Sequence, residues 1–213
     1  MIANNEETHI VQRSFRSVLN AFARPGTVES VEALVKPESP LSPYWETLVR
    51  MFVDQAVTFN VANGARTDAA EWITLQTHAK SECPDQADFV LALGAEGEDQ
   101  AKNALAHAKA GTLLEPELGA TVVLNCAYVG AVPEEENQHG LYLVKVAGPG
   151  VKDTASFAVS NAEWVSARAE RADEYPCGID LILLGENGNV VAIPRTTKIR
   201  VVHGMEGVAV WGM

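Results

Sequence analysis

Val11, Phe15, Val18 and Phe22 fall within about 60° of one another at a helical advance of about 100° per residue. Residues 6–23 are therefore expected to form an amphipathic helix, with Arg13, Arg16 and Asn20 on the far side. Asn5 is placed as its N-cap, and Glu6 and Glu7 follow where the helix dipole favours negative charge. Arg24-Pro25-Gly26 ends it, because proline disfavours α geometry in the residue before it and glycine supplies the turn. Ser42-Pro43 reads as a cap and first helical position, opening a helix that buries Trp45, Leu48, Val49 and Phe52. Residues 57–61 alternate like a half-buried strand, 68–79 read as a short helix, and 89–93 as a buried strand. Residues 98–110 return to helix with Ala101, Ala104, Leu105 and Ala108 on one face and Gly111 as C-cap.

The second half is richer in strands. Residues 120–129 and 141–147 are expected to be neighbours, with Gly148-Pro149-Gly150 as a turn and a further strand at 156–159. Ser160-Asn161-Ala162-Glu163 fits a capping box opening a helix to 171. Residues 179–185 and 190–193 flank Asn187-Gly188, and a last strand covers 198–202. A two-residue type I′ turn there sets Ile182 opposite Ile193, Leu184 opposite Val191, Leu181 opposite Pro194 and Asp180 opposite Arg195. Asp180 shares a face with Ile182 and Leu184, so burying it requires a partner, and Arg195 is placed to provide charge-assisted hydrogen bonds. A general base or a substrate ligand is the functional reading of Asp180; a structural ion pair is the simpler one. The whole is expected to be α/β, one domain over residues 1–213 with a mixed sheet flanked by helices.

Composition narrows the classes. The 213 residues are 47% hydrophobic and 21% charged, a globular balance. Sixteen Lys and Arg against 28 Asp and Glu give a net charge of −12, which argues against nonspecific nucleic-acid or anionic-membrane binding without excluding a local anion site. No apolar run approaches the ~20 residues of a membrane helix, and residues 1–7 lack the features of a signal peptide. Cys83, Cys126 and Cys177 have no CxxC spacing, so neither a disulfide framework nor a zinc cluster is indicated. A cytoplasmic protein is expected.

Motifs that carry chemistry are scarce. Gly148-Pro149-Gly150 is not a dinucleotide fingerprint, and neither a phosphate loop nor a GxSxG elbow occurs. His9, His78, His107, His139 and His203 are scattered without metal spacing. Cys177 would need a base or a positive environment to act as a nucleophile, and a packed thiol is the simpler reading. Arg195-Thr196-Thr197-Lys198 is the best local anion candidate. On a strand, however, Arg195 and Thr197 face away from Thr196 and Lys198, so the four converge only through a bulge. Glu134, Glu135 and Glu136 read as a solvated loop. Val208, Ala209, Val210 and Trp211 read as an edge strand or a docking segment.

Several segments together resemble one family: Ser14-Phe15-Arg16, Ala23-Arg24-Pro25-Gly26, Gly111-Thr112, Glu115 through Thr121, and Gly148-Pro149-Gly150. Tyr175-Pro176, the run Gly178 to Leu183, and Ala192 to Thr197 complete the set. They are similar to PhnH, the H subunit of the bacterial carbon–phosphorus lyase system, over residues 10–202. The resemblance implies a noncatalytic structural subunit of a core complex with PhnG, PhnI and PhnJ that is required for alkylphosphonate use. In that pathway ATP and an alkylphosphonate such as methylphosphonate yield ribose 1-phosphonate 5-triphosphate and adenine. After pyrophosphate loss, a radical S-adenosylmethionine subunit cleaves the C–P bond. The resemblance also implies a fold similar to the large domain of pyridoxal-phosphate-dependent transferases but without that cofactor, and a homodimer when isolated. It brings no catalytic, cofactor-binding or metal residues, and no role for residues 203–213. Asp180, Arg195, Thr196, Thr197 and Arg24 are the candidate structural or anion-contacting residues. Two other readings stand beside it: a pyridoxal-phosphate transferase-like enzyme using Lys198, and a module binding a nucleotide or phosphonate through Arg195 and Thr196.

Overall fold

The computed structural model describes residues 3–62, 67–94, 98–134 and 140–202. Its helices are α1 (Ala3–Ala23), α2 (Pro43–Phe52), α3 (Thr67–Thr77), α4 (Glu98–Ala106) and α5 (Glu163–Glu170), with a single 3-10 turn at Pro116–Leu118. The strands are β1 (Glu29–Ser30), β2 (Thr58–Val61), β3 (Lys80–Ser81), β4 (Phe89–Ala92), β5 (Thr121–Cys126), β6 (Val129–Gly130), β7 (Tyr142–Ala147), β8 (Ala155–Val159), β9 (Asp180–Gly185), β10 (Asn189–Ile193) and β11 (Lys198–Val202). Seven strands form a mixed sheet in the order β1-β10-β9-β5-β4-β2-β3, and four form an antiparallel sheet, β11-β7-β8-β6.

The central strands β4, β5 and β9 are parallel and nearly continuous in apolar residues, as strands buried on both faces must be. One face, through Ile182, Leu184, Val123 and Phe59, packs on Val18 of α1, Trp45, Leu48 and Val49 of α2, and Ile73 of α3. The other, through Leu181, Leu183, Val191 and Val122, packs on Leu105 of α4, Trp164 of α5 and the second sheet's Val144, Val146 and Phe157. Thus the second sheet covers one face of the first beside α4 and α5. Among the described residues no helix is long and apolar enough to cross a membrane.

Ser42 caps α2 as its sequence implied, its hydroxyl accepting from the Trp45 N–H. Other expectations need correction. Strands 120–129 and 141–147 are not neighbours: β5 pairs with β4 and β9, β7 with β8 and β11. The difference is physical, since β5 is apolar on both sides whereas β7 turns Lys145 to solvent, the habit of a sheet with one wet face. The first helix begins at Ala3, so Asn5 lies in its first turn and not at the cap. Its buried face is Ser14, Val18 and Ala21, while Phe15 is 45% exposed. Two of those three contacts are small residues, which let the helix approach closely, and the Ser14 hydroxyl accepts from the Glu32 N–H. Gly111 does not cap α4, which ends at Ala106; the Arg171 guanidinium donates to the Leu105 and Ala108 carbonyls there. The capping box does not form: the Ser160 hydroxyl accepts from the Tyr128 N–H, and the Asn161 side chain takes the Glu163 N–H.

The hairpin register is one residue off the expectation, with Val191 opposite Leu183, Ala192 opposite Ile182 and Ile193 opposite Leu181. A type I′ turn needs positive φ at both central residues, and among the described residues Asn187 is not one that has it. Instead the Gly188 N–H donates to the Gly185 carbonyl at 2.9 Å and Gly188 takes φ 80°, a three-residue loop with a glycine bulge. Asn187 is held in place by its side-chain N–H donating to the Val129 carbonyl of β6. The expectations for Glu135, Glu136, His139, His203 and the 203–213 tail with Val208, Ala209, Val210 and Trp211 lie outside the described residues.

Candidate functional site

Strand β9 begins at Asp180 and β10 ends at Ile193; residues 194–197 then cross from the first sheet to β11 of the second. Asp180 meets that crossing directly. Its Oδ1 accepts from the Arg195 backbone N–H at 2.7 Å and from Nε at 3.3 Å, and its Oδ2 accepts from Nη2 at 2.7 Å. The Nη1 of Arg195 donates to the Pro116 carbonyl in the 3-10 turn. From α5, Arg168 Nη2 donates to the Pro194 and Arg195 carbonyls at 3.0 and 2.8 Å. Arg171, one turn on, pairs with Asp173 through Nε at 2.7 Å.

Around this junction lies a cleft of about 370 Å³ whose walls include Arg168, Tyr175, Cys177, Arg195, Thr197 and Lys198. Arg195, Thr196, Thr197 and Lys198 all line it. Strand alternation does not run through them, because the Thr197 N–H donates to the Pro194 carbonyl and 194–197 is a turn that ends where β11 begins at Lys198. Asp180 stands behind Arg195, and Arg24 sits exposed after α1, away from the lining. Cys177 is half-buried in the cleft wall, its N–H on the Glu174 carbonyl. Desolvation pulls the Arg168 guanidinium down to about 10, partly opposed by the nearby Asp180 and Asp173 carboxylates. Two shielded polar atoms here have no hydrogen-bond partner, Arg168 Nη1 and Thr197 Oγ1. Among the described residues no group of side chains is arranged to hold a metal ion. Arg168 and Arg171 went unnoticed in the sequence; their i, i+3 spacing at the end of a helix was the available signal.

Segments distant in sequence meet here. A Cβ on Gly119 would lie 2.3 Å from the Gly178 carbonyl and 2.8 Å from Arg195 Nη1. One on Gly148 would lie 3.3 Å from the Thr196 carbonyl. A second hollow of about 380 Å³ lies beside Leu93 and Asn125 at the carboxyl ends of β4 and β5, where Trp45 Nε1 donates to Asn125 Oδ1.

Fold and junction together define an α/β protein whose two sheets are tied at a cation-lined crossing. The chain belongs to the bacterial phosphonate metabolism protein (PhnH) family, whose model matches residues 3–200. It is 31% identical over 192 residues to the putative C-P lyase subunit protein HtxG of Stutzerimonas stutzeri, covering 88% of this chain and 85% of that one. It is 27% identical over 200 residues to the alpha-D-ribose 1-methylphosphonate 5-triphosphate synthase subunit PhnH of Rhizobium meliloti (strain 1021), covering 88% and 89%.

Proposed function

We propose that this protein is a noncatalytic structural subunit of a carbon–phosphorus lyase core complex, acting with PhnG, PhnI and PhnJ in the cytoplasm. The complex would form ribose 1-methylphosphonate 5-triphosphate from ATP and methylphosphonate. The observation that carries the reading is the family match over residues 3–200, joined to relatives described as subunits of such assemblies. The junction supports a structural role, since both oxygens of Asp180 and all four donor groups of Arg195 are occupied within the protein. The reading includes a homodimer when the chain is isolated, a single domain, and kinship of the large sheet to that of pyridoxal-phosphate transferases without their cofactor.

Affinity capture of the tagged chain from phosphate-starved cells tests the assembly, and PhnG, PhnI and PhnJ are expected to come with it. Deleting the gene should abolish growth on methylphosphonate as the phosphorus source. Recovery of an active core complex without this subunit would sink the structural role. Adenine release by the isolated chain from ATP and methylphosphonate would sink the noncatalytic one. Added pyridoxal phosphate is expected to give no Schiff-base absorbance that Lys198→Ala removes.

A further inference from the structure

We propose that the cleft between α5 and the 194–197 turn binds a small tetrahedral oxyanion of the phosphate or phosphonate class, with Arg168 Nη1, Thr197 Oγ1 and the Lys198 ammonium as donors. The inference rests on the cleft alone and stands whether or not the chain works in an assembly.

Thr197 is 5% exposed, and its hydroxyl has no partner. Arg168 is in the same position: Nη2 serves two main-chain carbonyls while Nη1 is shielded from water and unpaired. Nearly all buried polar groups in proteins find partners, and both orphans belong to residues of one cleft wall, so they mark the place of a missing acceptor. The guanidinium geometry suits an oxyanion, because its planar fork presents N–H groups at the spacing of paired oxygens. Lys198 is exposed at the rim with its charge available.

Charge selects the ligand class. Arg168, Arg195 and Lys198 all line the cleft, and the opposing carboxylate, Asp173, is held by Arg171. Arg195 is taken up by Asp180 and the Pro116 carbonyl, so its charge is balanced and it offers no free donor, which leaves Arg168 and Lys198 as the selecting charges. A cation would be repelled, and a neutral ligand would leave Arg168 Nη1 without a charged acceptor, since Asp173 and Asp180 are hydrogen-bonded to Arg171 and Arg195. Within a chain of net charge −12 this is a local positive site. At about 370 Å³ the cleft exceeds an inorganic oxyanion and leaves room for an attached organic group.

Calorimetric titration of the full chain at low, fixed ionic strength, with inorganic phosphate and separately with methylphosphonate, tests the site. Saturable binding of at least one anion is expected, with a Kd of about 1 mM or tighter. Thr197→Val should weaken it about five- to tenfold, the loss of one hydrogen bond, while Thr197→Ser keeps wild-type affinity. The ligand-free Val variant should melt no lower than wild type, because it loses a hydroxyl that has no partner. Arg168→Lys should weaken binding more, but Arg168 also holds the turn's carbonyls, so the Thr197 pair decides. Equal affinity for the two anions means the site reads the oxyanion head; preference for methylphosphonate means it also reads the substituent. No saturation with either anion, or binding that Thr197→Val leaves unchanged, overturns the proposal.

Discussion

Replacing Asp180 with alanine removes three contacts at once: the acceptor for the Arg195 N–H at 2.7 Å, and those for its Nε and Nη2. The Arg195 guanidinium would then stand at the sheet junction with only the Pro116 carbonyl. Removing one partner of a buried pair costs about 3–5 kcal/mol. Here the side chains are 16% and 20% exposed, so water can partly repair the loss and about 2–4 kcal/mol is the expected figure. Asp180→Asn separates charge from shape: its remaining carbonyl still accepts the Arg195 N–H, and only about 1–2 kcal/mol should go. Because whole domains are stable by about 5–15 kcal/mol, both effects are measurable by urea denaturation.

A double-mutant cycle with Arg195→Met completes the test. If the two side chains act as a unit, the double variant should be about 1–3 kcal/mol more stable than the sum of the singles implies. Asp180→Ala within about 0.5 kcal/mol of wild type, beside a large loss for Arg195→Met, would refute the reasoning. It would mean the Pro116 carbonyl alone holds the arginine.

Three more outcomes follow from particular contacts. Glu46 is 1% exposed and accepts from Ser39, Arg50 and Trp72, so Glu46→Ala should cost about 3 kcal/mol in urea denaturation; a loss under about 1 kcal/mol would contradict the network. Gly119 has φ −61°, open to any residue, yet Gly119→Ala should destabilise by about 1–3 kcal/mol because its methyl meets backbone at Gly178, and a neutral result would count against that contact. Desolvation pushes the Asp88 carboxyl up, but the Lys109 ammonium at 2.5 Å and the Thr58 N–H and hydroxyl outweigh it and hold it below its ordinary value. A lowered carboxylate stabilises fully above its unfolded value of about 4 and loses that contribution as pH falls through the folded one, so Asp88→Asn should flatten the acid limb of urea midpoints. Superimposable limbs for wild type and variant would refute this.

The elements visible in the sequence are those whose signal is local. Ser42-Pro43 opens a helix because a hydroxyl acceptor and a preset φ act within one turn. Ala101, Ala104, Leu105 and Ala108 make a face because spacing alone defines it. What escaped depended on distant partners. Phe15 belongs to the apolar stripe, yet it lies against Phe52 at 6.4 Å and not in the core, since α1 docks through Ser14 and Ala21. The two-residue strands β1 and β3 have no pattern of their own and exist only because β10 and β2 offer free edges. Asn187 gave no hint that Val129, 58 positions away, would claim its amide and shift the hairpin by one residue. The Asp180–Arg195 pair is present all the same, because a carboxylate one position past the last ladder pair still reaches the next backbone N–H. The pairing was legible; the register from which it was derived was not.

The arginines explain why the junction is polar at all. Each element end there presents carbonyls that accept at most a turn's N–H and keep a second lone pair to be served. Arg171 serves Leu105 and Ala108 below α4, Arg195 serves Pro116 in the 3-10 turn, and Arg168 serves Pro194 and Arg195 in the crossing. A guanidinium suits this work because it carries several donors in one plane and stays charged when partly buried. Its surplus is then countable. Arg171 and Arg195 each direct their remaining donors to a carboxylate, Asp173 and Asp180, whereas Arg168 keeps Nη1 without an acceptor. Structural use accounts for every donor group of the first two and fails at the third, so Arg168 is where scaffold chemistry stops and ligand chemistry has room to begin.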